Sequence, residues 1–129
     1  MHHGSCHCGA VKFTVDAEPS EATTCDCSLC TKKNAVMVRV PVAALTITEG
    51  EDALTLYQWN TRVARHYFCS RCGIYTFHRK RSDPTSYGVN LFCLDDIDPS
   101  AIRRVQTEGE TMTVNPDGAR PEWRGPRTT

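Results

Sequence analysis

Seven of the eight cysteines in this chain fall into three short motifs whose spacing suits a metal ion. Two thiolates from one short turn can bind the same ion, and zinc takes four protein ligands at a structural site but three at a catalytic site. Two pairs and one triple therefore predict two different zinc sites, one closed and one open. The first, second and third cysteine motifs are Cys6-His7-Cys8, Cys25-Asp26-Cys27-Ser28-Leu29-Cys30 and Cys69-Ser70-Arg71-Cys72.

The first and third motifs are the candidates for the closed site. Cys6 and Cys8 precede an alternating strand pattern, and Cys69 and Cys72 lie in a Cys-x-x-Cys-Gly sequence typical of a zinc knuckle. Gly73 can adopt the positive φ that such a tight turn needs. One ion bound by both pairs would join distant segments and supply on the order of 10 kcal/mol of apparent binding free energy to folding. Four buried free cysteines are the alternative.

The second motif is the candidate for the open site, because Cys25, Cys27 and Cys30 offer three thiolates from one short stretch. Three protein ligands leave the fourth position to water, a substrate thiol or a carbonyl oxygen, and such an ion can act as a Lewis acid. A redox role for Cys27 and Cys30 is an alternative, but it leaves Cys25 unexplained. A distant fourth ligand would instead close the site. The candidates for that ligand are Cys93, His7, His66 and His78.

The composition predicts one domain over residues 1–129. The chain has 15 basic and 15 acidic side chains and no formal net charge at pH 7, which argues against nucleic-acid binding through bulk charge. Residues 1–5 lack the apolar core of a signal peptide, and no apolar run is long enough to span a membrane. We therefore expect a cytoplasmic location, where disulfides rarely form and clustered cysteines bind metals or catalyse.

The hydrophobic pattern predicts a small, mainly β protein. Apolar and polar residues alternate, or apolar residues cluster, in seven segments that we expect to be strands. These are residues 11–15, 35–40, 45–48, 54–59, 63–68, 75–78 and 87–91. Residues 24–33, around the second motif, are predicted to contain a short helix that begins near Thr24 or Asp26. Residues 99–105, which have an acidic start and a basic end, are predicted to form another. The tail from Asn115 onward, rich in proline and glycine, is expected to be irregular.

The three motifs, in this order, resemble the glutathione-dependent formaldehyde-activating enzyme family, which also contains centromere protein V. Residues 4–11 resemble its opening, the second motif its middle C-x-C-x-x-C, and residues 68–73 its aromatic-C-x-x-C-Gly knuckle. Asn90 and the Leu94-Asp95-Asp96 sequence resemble a later part of its pattern. The resemblance thus covers residues 4 to 98.

The resemblance implies a fold, a metal arrangement and an activity. The fold would be a β-tent of antiparallel sheets, shared with a small guanine-nucleotide-exchange chaperone. The activity would join glutathione to formaldehyde to give S-hydroxymethylglutathione, and members are classed broadly as carbon–sulfur lyases. The ligands of a structural zinc would be Cys6, Cys8, Cys69 and Cys72, and those of a catalytic zinc would be Cys25, Cys27 and Cys30.

The resulting hypothesis is a zinc-dependent carbon–sulfur lyase that acts on a small thiol, such as glutathione, and a small aldehyde. The zinc would hold and orient the sulfur nucleophile. A basic side chain, from residues 79–81 or Arg62, would bind the carboxylates of the thiol. The alternative is a non-catalytic, zinc-stabilised module that binds a protein partner. A zinc-ribbon nucleic-acid binder is the weakest hypothesis, because the basic runs are short.

Overall fold

The computed structural model describes residues 1–25, 28–58, 62–80 and 83–107, which form ten strands and one short α-helix. The prediction of a mainly β protein is confirmed. The helix, α1, is Ser28–Lys33. The strands are β1 (His2–Ser5), β2 (Lys12–Val15), β3 (Glu21–Cys25), β4 (Val36–Pro41), β5 (Leu45–Glu49), β6 (Leu54–Tyr57), β7 (Arg65–Cys69), β8 (Tyr75–Arg79), β9 (Ser86–Asn90) and β10 (Arg103–Thr107).

The strands form a small sheet and a large sheet, and the main core is built from both. The small sheet has the order β1-β2-β5, and the large sheet has the order β10-β3-β4-β9-β8-β7-β6. Neighbouring strands are antiparallel except for β3 and β10, which are parallel. The rings of Phe13 from the small sheet and Phe77 from the large sheet meet edge to face, with their centroids 5.5 Å apart. Such aromatic pairs add stability beyond their buried area.

Polar contacts tie the first strand to the turn that follows β9. The Ser5 hydroxyl donates to the Asp95 carboxylate over 2.7 Å, and the Asp95 backbone N–H donates to the His3 carbonyl over 2.8 Å. The His3 backbone N–H donates to the Asp96 carboxylate over 3.0 Å. These bonds hold the segment before the first cysteine motif at a fixed place, and they give the Leu94-Asp95-Asp96 sequence a structural role.

The predictions of a helix start at Thr24 and of a helix over residues 99–105 are wrong. The backbone of residues 21–25 extends as β3, because β-branched Thr23 and Thr24 pair with Met37 and Val36 of β4. The described helix begins at Ser28, and the alternative start near Asp26 lies outside the described residues. In the predicted helix at residues 99–105, a short 3₁₀ turn (Pro99–Ala101) leads into β10, which pairs with β3. Pairing along the sheet edge therefore overrides the helical charge pattern of that segment.

Some predictions fall outside the described residues. These concern Asp26 and Cys27 of the second motif, the strand end at Trp59, Arg81, and the tail from Asn115 onward. Among the described residues, no helix has both the length and the apolar character required to cross a membrane.

Candidate metal centre and neighbouring cavity

The first and third cysteine motifs meet in space. The sulfur atoms of Cys6, Cys8, Cys69 and Cys72 all lie within 4.8 Å of one another. The Sγ atoms of Cys6 and Cys8 are 3.6 Å apart, and those of Cys8 and Cys69 are 3.8 Å apart. Thiolates about 2.3 Å from a tetrahedral zinc would be about 3.8 Å from one another. The four sulfurs therefore have the spacing of a ligand set around one metal ion.

Each of the two motifs is presented by a tight turn, and a glycine follows its second cysteine. Gly9 and Gly73 have φ values of 79° and 76°, in the left-handed region that glycine adopts without strain. Gly9 N–H donates to the Cys6 carbonyl over 3.2 Å, and Gly73 N–H donates to the Cys69 carbonyl over 2.8 Å. These turns aim both sulfurs of each motif at a common point, and the positive φ expected at Gly73 is confirmed.

Interactions between the four thiols favour ionisation at some sulfurs and oppose it at others. Burial acts to raise the pKa of Cys72, but hydrogen bonds from the backbone N–H groups of Cys8 and Ile74, and from neighbouring thiols, lower it to about 6. A hydrogen bond from the Ala10 backbone lowers the pKa of Cys8, yet desolvation and the three neighbouring thiols raise it to about 11. Four adjacent thiolates repel one another, so a bound cation would offset this repulsion and allow all four to ionise.

The described cysteines of the second motif lie elsewhere, beside a cavity of about 390 Å³. Cys25 is the last residue of β3, Cys30 lies in α1, and both side chains are half-buried and line the cavity. Cys27 lies outside the described residues. The other described residues that line the cavity are Thr24, Thr31, Asn34, Ala35, Val36, Phe92 and Arg104. None belongs to the cluster of four sulfurs from Cys6, Cys8, Cys69 and Cys72, so the described cysteines of the three motifs divide into two separate groups.

A network of two histidines and a tyrosine crosses the large sheet. The Tyr75 hydroxyl lies 3.1 Å from Nδ1 of His66 and 2.5 Å from Nδ1 of His78, and the two imidazole rings stack with centroids 5.1 Å apart. Burial lowers the pKa of His66 to about 4 and that of His78 to about 3. Both imidazoles are therefore neutral at neutral pH. The sequence placed them on strands flanking the third motif but gave no sign of this network.

A lysine lies between this network and the second motif. Nζ of Lys33 is buried without a hydrogen-bond partner among the described residues, and it lies 3.6 Å from the centroid of the Tyr75 ring. Burial lowers the pKa of Lys33 to about 8, although its attraction to the Cys30 sulfur acts in the opposite direction. Burial, and then repulsion from Arg39, also lower the pKa of Lys80, which is in turn attracted to the sulfurs of Cys30 and Cys25. The second motif thus has two basic side chains beside it.

The remaining candidates from the sequence take other places. Cys93 is buried, its thiol lies 3.5 Å from the Tyr75 carbonyl, and burial raises its pKa to about 12. It is the buried structural cysteine that its apolar surroundings predicted. Nε of Arg79 donates to the Pro84 carbonyl over 2.8 Å. Neither Arg79 nor Arg62, both candidates for binding carboxylates, is among the residues that line the cavity.

Gly88 provides a test of how tightly the histidine network is packed. It pairs with His78 across the sheet, and a Cβ at Gly88 would lie 2.4 Å from Cε1 of that ring. We expect Gly88→Ala to destabilise the protein by about 1–3 kcal/mol, because overpacking forces side chains out of place. Urea unfolding measures the loss, and the matched control is the same substitution in a His78→Ala background. If Gly88→Ala lowers the free energy of unfolding by the same amount in the His78→Ala background, contact with the His78 ring is not the cause of the destabilisation.

Comparison with known proteins identifies the family. The family model described as "Glutathione-dependent formaldehyde-activating enzyme" matches residues 1–111. The chain belongs to this family. The resemblance inferred from the three cysteine motifs is therefore confirmed, and the match extends beyond the segment that those motifs cover.

Two relatives support this assignment. A Halomonas elongata protein with the curated name "Putative glutathione-dependent formaldehyde-activating enzyme" is 35% identical over an alignment of 78 residues, which covers 54% of this chain. The match spans 50% of the length of that relative. A crystal structure of a Rhodobacter sphaeroides protein, solved as a structural genomics target, has 40% sequence identity and a TM-score of 0.73. That similarity covers 80% of this chain and 99% of the solved chain.

Proposed function

We propose that this protein is a zinc-dependent carbon–sulfur lyase that joins a small thiol to a small aldehyde, with glutathione and formaldehyde as the first candidates. One observation carries the proposal: in a chain of this family, Cys25 and Cys30 line a cavity that the four-sulfur cluster does not reach. A cysteine motif that serves only to hold the fold together has no need of a cavity. The family name supplies the substrates.

The two cysteine groups would hold zinc in different ways. Cys6, Cys8, Cys69 and Cys72 form a complete set of four sulfurs, which suits a closed structural site. A catalytic site would use the second motif, whose three cysteines leave one tetrahedral position for a ligand. Both sites would belong to one zinc-binding domain over residues 1–129. The ligands of the catalytic site would be Cys25, Cys27 and Cys30.

The chemistry needs a sulfur nucleophile held next to an aldehyde. Zinc bound at the second motif would favour the thiolate form of the substrate. The thiolate sulfur forms a bond to the aldehyde carbon, the carbonyl π electrons move to oxygen, and that oxygen takes up the proton lost by the thiol. In the reverse direction the C–S bond breaks and the aldehyde leaves. The basic side chains of Lys33 and Lys80, which are attracted to the motif's sulfurs, would offset the negative charge of the thiolates.

Calorimetry with glutathione and S-methylglutathione tests the proposal, because the methylated form cannot supply a thiolate. We expect glutathione to bind more tightly and to release a proton, so that its affinity rises with pH until the free thiol ionises. The Cys30→Ser variant should lose this advantage while it retains zinc at the four-sulfur cluster, which elemental analysis measures. Equal affinity for the two ligands, or unchanged glutathione binding in Cys30→Ser, would favour the non-catalytic, partner-binding module.

A further inference from the structure

The cavity beside the second motif has a second chemical feature, formed by Phe92 and Arg104. Both residues line it, and the guanidinium carbon of Arg104 lies 5.4 Å from the centroid of the Phe92 ring. Among the described lining residues, Arg104 is the one with a charged side chain. The cavity therefore joins a sulfur-rich part, at Cys25 and Cys30, to a part that combines an aromatic face with a positive charge.

The fold holds Phe92 towards solvent. It lies in a 3₁₀ turn (Leu91–Cys93) between two buried residues, yet its own side chain is 53% exposed. The Asn90 side chain accepts a hydrogen bond from Phe92 N–H over 3.1 Å and donates to the Tyr75 carbonyl over 2.8 Å. The buried side chains of Leu91 and Cys93, together with the Asn90 cap, therefore hold the turn in place. An aromatic ring that a fixed turn keeps exposed beside a cavity is suited to contacting a ligand.

The charge of Arg104 has no counterpart among the residues that the structure describes. The side chain is exposed on β10, which the parallel pairing of Arg104 with Ala22 fixes against β3. No carboxylate in the described part of the chain forms an ion pair with it. A guanidinium group binds carboxylates through two parallel hydrogen bonds, and it stacks on aromatic rings while doing so. Arg104 is exposed and lines the cavity, so its guanidinium group can contact an anionic ligand there.

We infer that Arg104 and Phe92 form a carboxylate-binding subsite, which makes the cavity selective for an anionic, peptide-like thiol over an uncharged one. Thr31 and the exposed Asn34 also line the cavity, and their hydroxyl and amide groups can hydrogen-bond to the amides of such a ligand. The cavity volume of about 390 Å³ lies within the usual range of small-molecule pockets. That the ligand is a thiol rests on the proposed function, whereas the binding of its carboxylate by Arg104 does not.

The test uses two probes, each of which carries only one of the two groups, thiol or carboxylate, that the cavity is proposed to bind. S-methylglutathione keeps the carboxylates but has no free thiol, and 2-mercaptoethanol has a thiol but no carboxylate. We expect Arg104→Gln to weaken binding of S-methylglutathione and glutathione by about 10- to 100-fold, the usual value of a hydrogen bond to a charged group. Binding of 2-mercaptoethanol should not change. Arg104→Lys should restore part of the loss, because it keeps the charge without the bidentate geometry.

The matched control is Arg103→Gln, which removes the same charge from the neighbouring exposed residue of β10. Arg103 does not line the cavity, so its removal should leave the affinity for S-methylglutathione unchanged. The inference is overturned if wild-type protein does not bind S-methylglutathione, or if Arg104→Gln and Arg103→Gln bind it equally well. If wild-type protein binds glutathione and S-methylglutathione equally well, and Arg104→Gln weakens both, the carboxylate-binding subsite is supported. That outcome contradicts only the thiol chemistry of the proposed function.

Discussion

Replacing Cys72 with alanine should destabilise the protein far more than the same substitution at Cys30. The four-sulfur cluster joins a turn after β1 to a turn between β7 and β8, whereas both described cysteines of the second motif flank one short segment. A bound structural zinc contributes on the order of 10 kcal/mol, and Cys72→Ala would remove one of four ligands and much of that free energy. Chelation of the metal from wild-type protein should have a comparable effect. Urea unfolding and thermal melts measure both losses.

Cys93 supplies the control for this comparison. It is as well buried as Cys6, at 3% exposure, but it lies outside the cluster. Cys93→Ala should therefore cost about 1–2 kcal/mol through lost packing, and its stability should still fall when metal is chelated. The expectation that Cys72 stabilises the fold through a bound metal, and that Cys30 does not, is contradicted by either of two results. One is that Cys30→Ala unfolds as readily as Cys72→Ala, and the other is that chelation leaves the wild-type melting temperature unchanged.

The parts of this structure that could be predicted from the sequence are those fixed by local chemistry. A Cys-x-x-Cys-Gly sequence determines its own turn, because Gly73 removes the steric barrier to positive φ and both sulfurs then point the same way. Alternation of apolar residues likewise located β2, β5 and β8 within one or two residues. Neither inference needed any information about distant parts of the chain.

The strands that could not be predicted are stabilised mainly by their partners. In β1, Gly4 is the buried residue, so the strand lacks apolar alternation and depends on pairing with β2 and on Asp95 and Asp96. In β10, the sequence of Arg103 and Arg104 suits the end of a helix, yet the segment adds to the edge of the large sheet beside β3. Tertiary pairing of this kind has no signature in the local sequence.

The same limit applies to the polar groups near the second motif. His66 and His78 lie opposite each other only because β7 and β8 pair in one particular register, which shifts at an irregularity between Tyr67 and Phe68. Tyr75 then reaches both rings from the start of β8. Arg104 lines the same cavity as Cys25 for a similar reason, since β10 runs beside β3. Register and strand order place these side chains, and the sequence specifies both only through the complete fold.

Acid should destabilise this protein at a pH where most proteins of its size are stable, because two histidines are held neutral in the folded state. The unfolded histidine pKa is about 6.5, whereas burial lowers that of His66 to about 4 and that of His78 to about 3. Between those values the unfolded chain binds more protons than the folded protein. The stabilisation is therefore complete above about pH 6.5 and is lost as the pH falls towards the folded pKa values, by up to about 1.4 kcal/mol per pH unit for each histidine.

Comparison of wild type with His66→Gln isolates this effect from other acid-sensitive groups. Protonation of the cysteine cluster also destabilises the protein, but it does so in both proteins and cancels in the difference. The free energy of unfolding in urea, measured at intervals from about pH 7.5 to about pH 5, should fall less steeply for His66→Gln. The difference in slope should grow as the pH falls through about 6.5 and approach that of one proton, about 1.4 kcal/mol per pH unit, near about pH 5. The Tyr75 hydroxyl can still donate to the new side chain, so the variant should fold. Identical slopes would mean that the pKa of His66 is the same in the folded and unfolded states, and that the network with Tyr75 and His78 does not exclude the charge.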